Sequence, residues 1–488
     1  MLAARALDEA IVGGNHALAV RAAGILDKAG TIGPDGRLVL LSDAVRRKEW
    51  KRAALQADRM AEDKVFAFTA PLLHAWIAVG SRKGDPVAPI EGAKDDPLAT
   101  AYGGDLKPLL LIASGREKDG LAALAPFLAR ADARSERLRI AAAALLARKG
   151  DRKDALILLA GDNPAYARAR SFIERKQPLF EGDIAAGGIA SLLVRISGDL
   201  RGQEVPALAL SIARIATFVA PESSETWLSA SELLATRDQK AALAALDHIP
   251  ADDLLGPAAM DRRLALLVET GGGEKALADA RRAAEADPAS VAGWARLGDL
   301  LGSLNRDREA ADAYAQAVKA AETAPSSSTP TWTLWLLRGS ALTRAGDWAE
   351  GKIAAERAYA LAPQHPVVLN FLGYSQLERR ENIDQAEQLI RLASKLDPDN
   401  ASITDSLGWA HYVRGDYAKA IELLERAARG EPSDAAINEH LGDAYYSAGR
   451  RYEARYAWQA ALVYADDDAS KRIRSKLDVG LRPDLAAP

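Results

Sequence analysis

The chain has 488 residues, of which 63 are Lys or Arg and 67 are Asp or Glu, so its formal net charge at pH 7 is -4. A charge so close to balance provides no broad positive field for phosphate backbones, and nucleic acid is not an expected partner. The sequence contains no cysteine, which excludes disulfides, thiolate metal sites and cysteine nucleophiles. Its length fits either several domains or one elongated repeat stack.

Helix-favouring residues dominate, and aromatic residues make up only 6% of the sequence. We therefore expect an all-α chain with almost no sheet. The most apolar stretches, such as 106–113 and 138–147, fall well short of the roughly 20 residues of a membrane-spanning helix, so no transmembrane segment is expected. Residues 1–10 lack the apolar core of a secretory signal and have the pattern of a helix already under way, which leaves a removed leader open.

The N-terminal part of the chain alternates apolar helical stretches with turn signals. The turn signals lie at 33–36, 84–86, 103–104, 150–151 and 161–164. Residues 1–184 are therefore predicted to form degenerate helical hairpins, with a separate helical domain as the alternative. Residues 185–288 carry small residues at hairpin spacing, including Ala209 and Ala216, and are interpreted as divergent repeats.

A clear internal repeat occupies residues 289–466. Its glycines, Gly298, Gly339, Gly373, Gly408 and Gly442, are spaced by 41, 34, 35 and 34 residues, and the longest interval contains a loop-type insertion at 324–330. Two columns of small residues follow the glycines, at Ala310, Gly351, Ala386, Ala420 and Ala454, and at Ala317, Ala358, Ala393, Ala427 and Ala461. This pattern predicts close-packed helix hairpins, with Tyr314, Ile390, Leu424 and Trp458 filling the gap between neighbouring units.

The repeat resembles the tetratricopeptide-repeat (TPR) family. The resemblance is carried by 294–298 with Ala310 and Tyr314, and by 407–408 through Tyr417 and Ala420 to Pro432. It implies an all-α, right-handed superhelical solenoid of antiparallel helix hairpins, with clear repeats in 289–466, divergent ones in 185–288 and TPR-like hairpins in 1–184.

Residues 467–488 are predicted to form a capping helix and tail. We expect Ile473 and Leu477 to cover the last repeat, and the last eight residues to be frayed. The basic residues of this helix are expected to face solvent; they are Lys471, Arg472, Arg474 and Lys476.

In this family the first helix of each unit lines a concave protein-binding groove. The resemblance assigns eight residues of this chain to that groove: Asn370, Tyr374, Asp405, Trp409, Tyr412, Glu439, Asp443 and Tyr446. Such a surface is aromatic and acidic, which favours a protein or peptide of basic character. Trp409 is expected to be exposed in the groove, and packing of Trp409 between helices is the alternative.

No catalytic motif stands out. The segment 271–276 fits a dinucleotide fingerprint, but it follows a helix rather than a strand and is interpreted as a turn. The six histidines are scattered singly, without metal-site spacing. We therefore predict a non-catalytic protein with no cofactor and no metal site. An unrecognised enzyme within 1–184 is the remote alternative.

The segments 369–375 and 405–410 resemble bacterial envelope TPR proteins, many of which are lipid-anchored. Some members of that group are adaptors that bind and activate a carboxyl-terminal processing protease. The resemblance implies this role, and a periplasmic or outer-membrane-anchored location if a leader has been removed, although this sequence has no cysteine to lipidate. The alternative is a cytoplasmic or secretion- or pilus-assembly scaffold, and self-association through one end is also open.

Overall fold

The computed structural model describes residues 2–62, 66–130, 132–161, 163–203, 205–323 and 329–487. Within these ranges the chain forms α-helices and one short 3-10 helix, Pro483–Leu485, and no strand, which confirms the all-α prediction. None of the helices found there is long and apolar enough to cross a membrane. Most of the predicted insertion, at 324–328, and residue 162 of the predicted turn at 161–164 lie outside the described residues.

The chain divides into two compact units, Met1–Ala276 and Leu277–Pro488. The helices of the first unit are α1 Leu2–Val12, α2 His16–Lys28, α3 Pro34–Arg46, α4 Trp50–Met60, α5 Thr69–Ser81, α6 Ala88–Gly92, α7 Pro97–Ala113, α8 Glu117–Leu128, α9 Ala133–Lys149, α10 Arg152–Leu158, α11 Pro164–Glu174, α12 Ile184–Gly202, α13 Pro206–Val219, α14 Ser224–Leu234, α15 Gln239–Leu246 and α16 Gly256–Glu269. The division falls inside α17, Gly273–Ala286. The predicted turn lies at 271–272, with Gly271 at φ 74°, and residues 273–276 are the first turn of α17.

Consecutive helices of the first unit pack as hairpins, for example α1 with α2, α3 with α4, and α12 with α13. In addition, α12 packs on α5 and α13 packs on α3, so Leu72, Ile189 and Ile215 belong to one core. A solenoid in which each repeat touches only its neighbours lacks such contacts. The predicted boundary at residue 184 therefore lies within a continuous hydrophobic core.

One predicted turn of the first unit is wrong. Gly103 and Gly104 lie inside α7 rather than between helices. A Cβ atom at Gly103 would lie 2.4 Å from Ile90 Cγ2, so the glycine admits the Ile90 side chain of α6 against α7. Close packing, rather than a turn, accounts for this glycine.

The second unit contains five helix hairpins and a final helix in the part that the structure describes. Its helices are α18 Val291–Ser303, α19 Asp307–Thr323, α20 Thr331–Arg344, α21 Trp348–Leu361, α22 Pro366–Glu378, α23 Ile383–Leu396, α24 Ala401–Val413, α25 Tyr417–Gly430, α26 Ala435–Ser447, α27 Arg451–Tyr464 and α28 Asp467–Val479. The side chains of Asn400 and Asp434 cap α24 and α26, because they accept hydrogen bonds from the backbone N–H groups of Ile403 and Ile437. The hairpins coincide with the repeats predicted from the glycine and alanine columns.

The repeat glycines allow the two helices of each hairpin to approach closely. A Cβ atom would lie 2.6 Å from the Tyr314 ring at Gly298, and 2.3 Å from the Trp458 ring at Gly442. Ile390 and Leu424 stand in the same relation to Gly373 and Gly408, at 2.8 Å. Each of these larger side chains packs on the glycine of its own unit. Ile390 and Leu424 also share buried clusters with Leu407 and Leu441 of the following units, as expected of side chains that fill the gap between neighbours.

This packing predicts opposite effects for two glycine substitutions in α18. Gly298→Ala should destabilise the second unit by about 1–3 kcal/mol, because the added methyl group overpacks the buried Tyr314 ring. Gly302→Ala is the matched control: its Cβ atom would meet only the flexible end of Arg344, at 3.5 Å, and should stabilise the helix by about 0.5–1 kcal/mol. Urea midpoints of the two variants measure both effects, and equal midpoints would contradict the packing argument.

Candidate protein-binding groove

The eight predicted groove residues lie on α22, α24 and α26, the first helices of the last three hairpins. Asn370 and Tyr374 are on α22, Asp405, Trp409 and Tyr412 on α24, and Glu439, Asp443 and Tyr446 on α26. Within each helix they follow the i, i+4, i+7 spacing of a single face. In this structure the α26 residues of that face, and the cluster that contains Trp409, contact the chain's own C-terminal segment, which we define as α28 with the tail 480–487.

Aromatic rings form the centre of the groove. The Trp409 ring stacks on Tyr412, with centroids 4.3 Å apart, and on His440, with centroids 4.1 Å apart. Trp409 is only 3% exposed, so the expectation of an exposed tryptophan is wrong for this conformation. Ala487, from the end of the tail, belongs to the same buried apolar cluster as Trp409.

His440 connects the aromatic centre to a buried carboxylate. Its Nδ1 atom lies 3.0 Å from both carboxylate oxygens of Asp405, and its Nε2 atom lies 3.4 Å from the Tyr374 hydroxyl. Burial alone would lower the pKa of the imidazole, but the Asp405 carboxylate outweighs burial and raises that pKa. Burial also raises the pKa of Tyr374 well above its usual value, so its phenol is neutral at physiological pH.

Two carboxylates on α26 bind the basic side chains of α28. Glu439 accepts two hydrogen bonds from the Arg472 guanidinium, each of 2.8 Å, and one of 2.6 Å from Lys476 Nζ. The Lys476 ammonium is also 2.8 Å from both oxygens of Asp443, and the Lys476 side chain is fully buried. Burial would raise the pKa of Glu439, but Arg472 and Lys476 outweigh it and lower that pKa.

The predicted solvent-facing position is therefore wrong for two of the basic residues of α28. Arg472 is partly buried against Glu439 and Lys476 is completely buried, whereas Lys471 and Arg474 are exposed, as predicted. The apolar residue Ile473 is buried in a cluster with Trp458, as expected of a residue that covers the last repeat. The helix thus contacts the groove by ionic and apolar side chains together.

The tail continues across the same face. Gly480, at φ 81°, lies against the Tyr446 hydroxyl, where a Cβ atom would be only 2.2 Å away. The Ala487 N–H donates a 2.8 Å hydrogen bond to Asp443 Oδ2, and Ala487 is 7% exposed. The prediction that the last eight residues are frayed is therefore wrong as far as residue 487. Asp443, which also accepts from Trp458 Nε1 at 2.8 Å, is the point at which α26, α27, α28 and the tail meet.

Asn370 lies at the α22 end of the face. Its side-chain oxygen is buried and has no hydrogen-bond partner among the described residues. Because a buried acceptor without a donor costs free energy, this atom is suited to a donor from a bound molecule.

Sequence reasoning missed the participation of His440, Arg472, Lys476 and Ala487. A signal for two of them was present, because Arg472 and Lys476 are spaced by four residues in α28, as Glu439 and Asp443 are in α26. The positions of His440 and Ala487 depend on tertiary packing and had no such signal. Across the described residues, no group of three or more His, Cys, Asp or Glu side chains could hold a metal ion.

Comparison with known proteins gives limited matches. No protein-family model matches the chain. The "TPR repeat-containing protein PA4667" of Pseudomonas aeruginosa is 41% identical over 61 residues, which are 12% of this chain and 10% of that protein. The matched region therefore spans about a tenth of the length of that relative.

Similar solved structures have low sequence identity to the chain. A tetratricopeptide repeat protein from Parabacteroides merdae is 13% identical, with a TM-score of 0.41, over 60% of this chain and 99% of its own. The Cut9-Hcn1 structure is 13% identical, with a TM-score of 0.39, over 93% of this chain and 98% of its own. A thermophilic TPR protein of Thermus thermophilus is 22% identical, with a TM-score of 0.34, over 39% of this chain and all of its own.

The glycine and alanine columns of the sequence coincide with five hairpins of antiparallel helices, α18 to α27. The small residues at these columns are buried, within the hairpins and against the following hairpin. This chain therefore has the tetratricopeptide-repeat fold.

Proposed function

We propose that this chain is a non-catalytic adaptor or scaffold that binds another protein through the groove formed by α22, α24 and α26. The observation that supports the proposal most is the pairing of Glu439 and Asp443 with Arg472 and Lys476. Buried carboxylates four residues apart require cationic partners, so the groove favours a protein segment that carries Lys or Arg. The rings of Trp409 and Tyr412 add a large rigid contact area.

The more specific candidate function is that of an envelope adaptor that binds and activates a carboxyl-terminal processing protease. It is supported by the resemblance carried by 369–375 and 405–410. These segments belong to α22 and α24, which is why we assign the protease to this groove. The envelope location is part of the same proposal.

One observation favours the alternative, a cytoplasmic or secretion- or pilus-assembly scaffold. A scaffold needs more than one contact face, and α27 has an exposed stripe of aromatic and aliphatic side chains outside the groove. Tyr452, Tyr456 and Val463 follow the i, i+4, i+11 spacing of one helix face and are 82%, 73% and 71% exposed.

Two tyrosines of the second unit separate these candidates. Tyr374→Ala should weaken binding of the purified processing protease from the same organism by about 2 kcal/mol, or roughly 30-fold, because it removes an aromatic ring from the groove. Tyr452→Ala is the matched control and should leave the affinity unchanged, because Tyr452 is 82% exposed on α27. Calorimetry gives the affinities, and hydrolysis of a protease substrate with and without the chain tests activation.

Each outcome of this comparison has a defined meaning. An affinity lowered by Tyr452→Ala but not by Tyr374→Ala would exclude the groove as the binding site and favour the α27 face. Absence of binding and activation by the wild-type chain would exclude the protease. Trp409→Ala is a poorer probe, because removing a buried tryptophan costs about 3–5 kcal/mol of stability by itself.

The charge of the groove depends on the protonation state of His440. When the imidazole is protonated, it neutralises Asp405; when it is neutral, Asp405 adds a negative charge near Glu439 and Asp443. The net charge of the groove therefore becomes more negative as the pH rises. The Tyr374 phenol, which also faces His440, stays neutral over the same range.

Titration of His440 tests this arrangement. The His440 pKa should lie above the ordinary 6.5, and Asp405→Asn should lower it, because burial is then opposed only by the more weakly acting carboxylates of Asp443 and Glu439. Since the folded-state pKa is raised, the ion pair stabilises the fold fully below pH 6.5, and this contribution is lost as the pH rises through the raised pKa. NMR spectra of the imidazole ring, with the other histidines as internal controls, follow the titration. A wild-type pKa at or below 6.5 would contradict the prediction.

A further inference from the structure

The C-terminal segment contacts the groove as a ligand would. Arg472 and Lys476 project from successive turns of α28 and meet Glu439 and Asp443, which project from successive turns of α26. Two positive charges thus neutralise two negative charges. Without the segment, the two carboxylates would lie four residues apart on one helix with no cation between them, an arrangement that is unfavourable.

The segment contacts the groove and the last hairpin through few buried residues. Ile473 and Ala487 are its buried apolar residues, Leu477 and Leu481 are partly buried against the cluster that contains Trp458, and its buried polar contacts are ionic. Buried ion pairs contribute little net free energy, because the desolvation of the charges offsets their attraction. The segment is therefore held by specific contacts of modest strength.

The covalent connection between α27 and α28 favours binding of the C-terminal segment to the groove. Helix α28 begins at Asp467, immediately after α27 ends at Tyr464, so the segment is always close to its binding face. Such tethering gives an effective concentration of the order of millimolar and maintains a contact that would be weak between separate molecules. The outer face of α28 is exposed and charged, since it carries Lys471, Arg474 and Asp478. These charges keep the helix hydrated when its inner face is released.

We propose that the C-terminal segment is a displaceable intramolecular ligand of the groove, and that the protein partner displaces it with a helix carrying Arg and Lys four residues apart. This inference rests on the proposed function, since it defines the partner of the same groove. The free chain is then self-occluded, and release of α28 exposes Glu439, Asp443, Trp409 and Tyr446 to the partner.

The test uses the full chain and a fluorescent synthetic peptide of residues 467–487. Binding of the peptide is measured by anisotropy to the wild-type chain, to an Arg472→Ala/Lys476→Ala chain and to an Arg474→Ala chain. The double substitution removes the ionic contacts of the tethered segment, so this chain should bind the peptide at least about tenfold more tightly than wild type. Arg474 is exposed on the same helix, and its substitution should leave peptide affinity at the wild-type value.

A second peptide defines the chemistry of recognition. The peptide with Lys476→Ala should bind the doubly substituted chain at least about tenfold more weakly than the natural peptide, because it leaves Asp443 without its cation. Equal peptide affinity for all three chains, or equal affinity of both peptides, would overturn the proposal.

Hydrogen exchange of the wild-type chain tests release without any substitution. Amides of α28 should be protected at least about tenfold less than those of α26, because α28 opens while the hairpins stay folded. Equal protection of α28 and α26 would mean that they open only together, and that α28 is a permanent cap. These measurements contain no partner protein, so failure of the protease to bind would count against the proposed function alone.

Discussion

The buried ammonium of Lys476 is the contact on which the arrangement around the groove depends. It joins Glu439 and Asp443 on α26, while Asp443 also accepts hydrogen bonds from Trp458 on α27 and from the backbone of Ala487. Removing one partner of a buried ion pair costs about 3–5 kcal/mol, because the other charge is left without compensation. Lys476 therefore links α28 to α26 directly, and through Asp443 it is connected to α27 and to the end of the tail.

The repeats could be predicted from the sequence because their determinants are local. A glycine such as Gly373 and an alanine such as Ala386 meet within one hairpin, so their spacing along the chain records their contact in space. Gly103 looked like a turn signal because it belongs to no repeating column, so nothing in the sequence indicated its contact with Ile90 on α6. The packing of α12 and α13 on α3 and α5 was unpredictable for the same reason: those contacts join segments more than a hundred residues apart.

The repeat spacing predicted which residues share the groove face, but it did not predict that α28 and the tail would pack on them. Repeat spacing assigns Asp405, Trp409 and Glu439 to one face, and in the structure their side chains come together around His440. Helical periodicity predicted which face of α28 packs on the last repeat, and we assumed that every basic side chain of the helix faces solvent. That assumption fails for Lys476 because a matching pair of carboxylates, 33 and 37 residues earlier in the chain, compensates its charge.

An ionic occupant suits the opening of the groove that we propose. If α28 were held by a broad apolar face, release would expose that face to water at a cost proportional to its area. Charged groups regain hydration when they separate, so the net free-energy cost of breaking ionic contacts is smaller than that of exposing an apolar face. The spacing of the charges still determines which segment fits. In this proposal, the same two carboxylates recognise the tethered segment and an external basic helix in turn. The spacing of Glu439 and Asp443 would then set the specificity, and the covalent tether would supply most of the strength of closure.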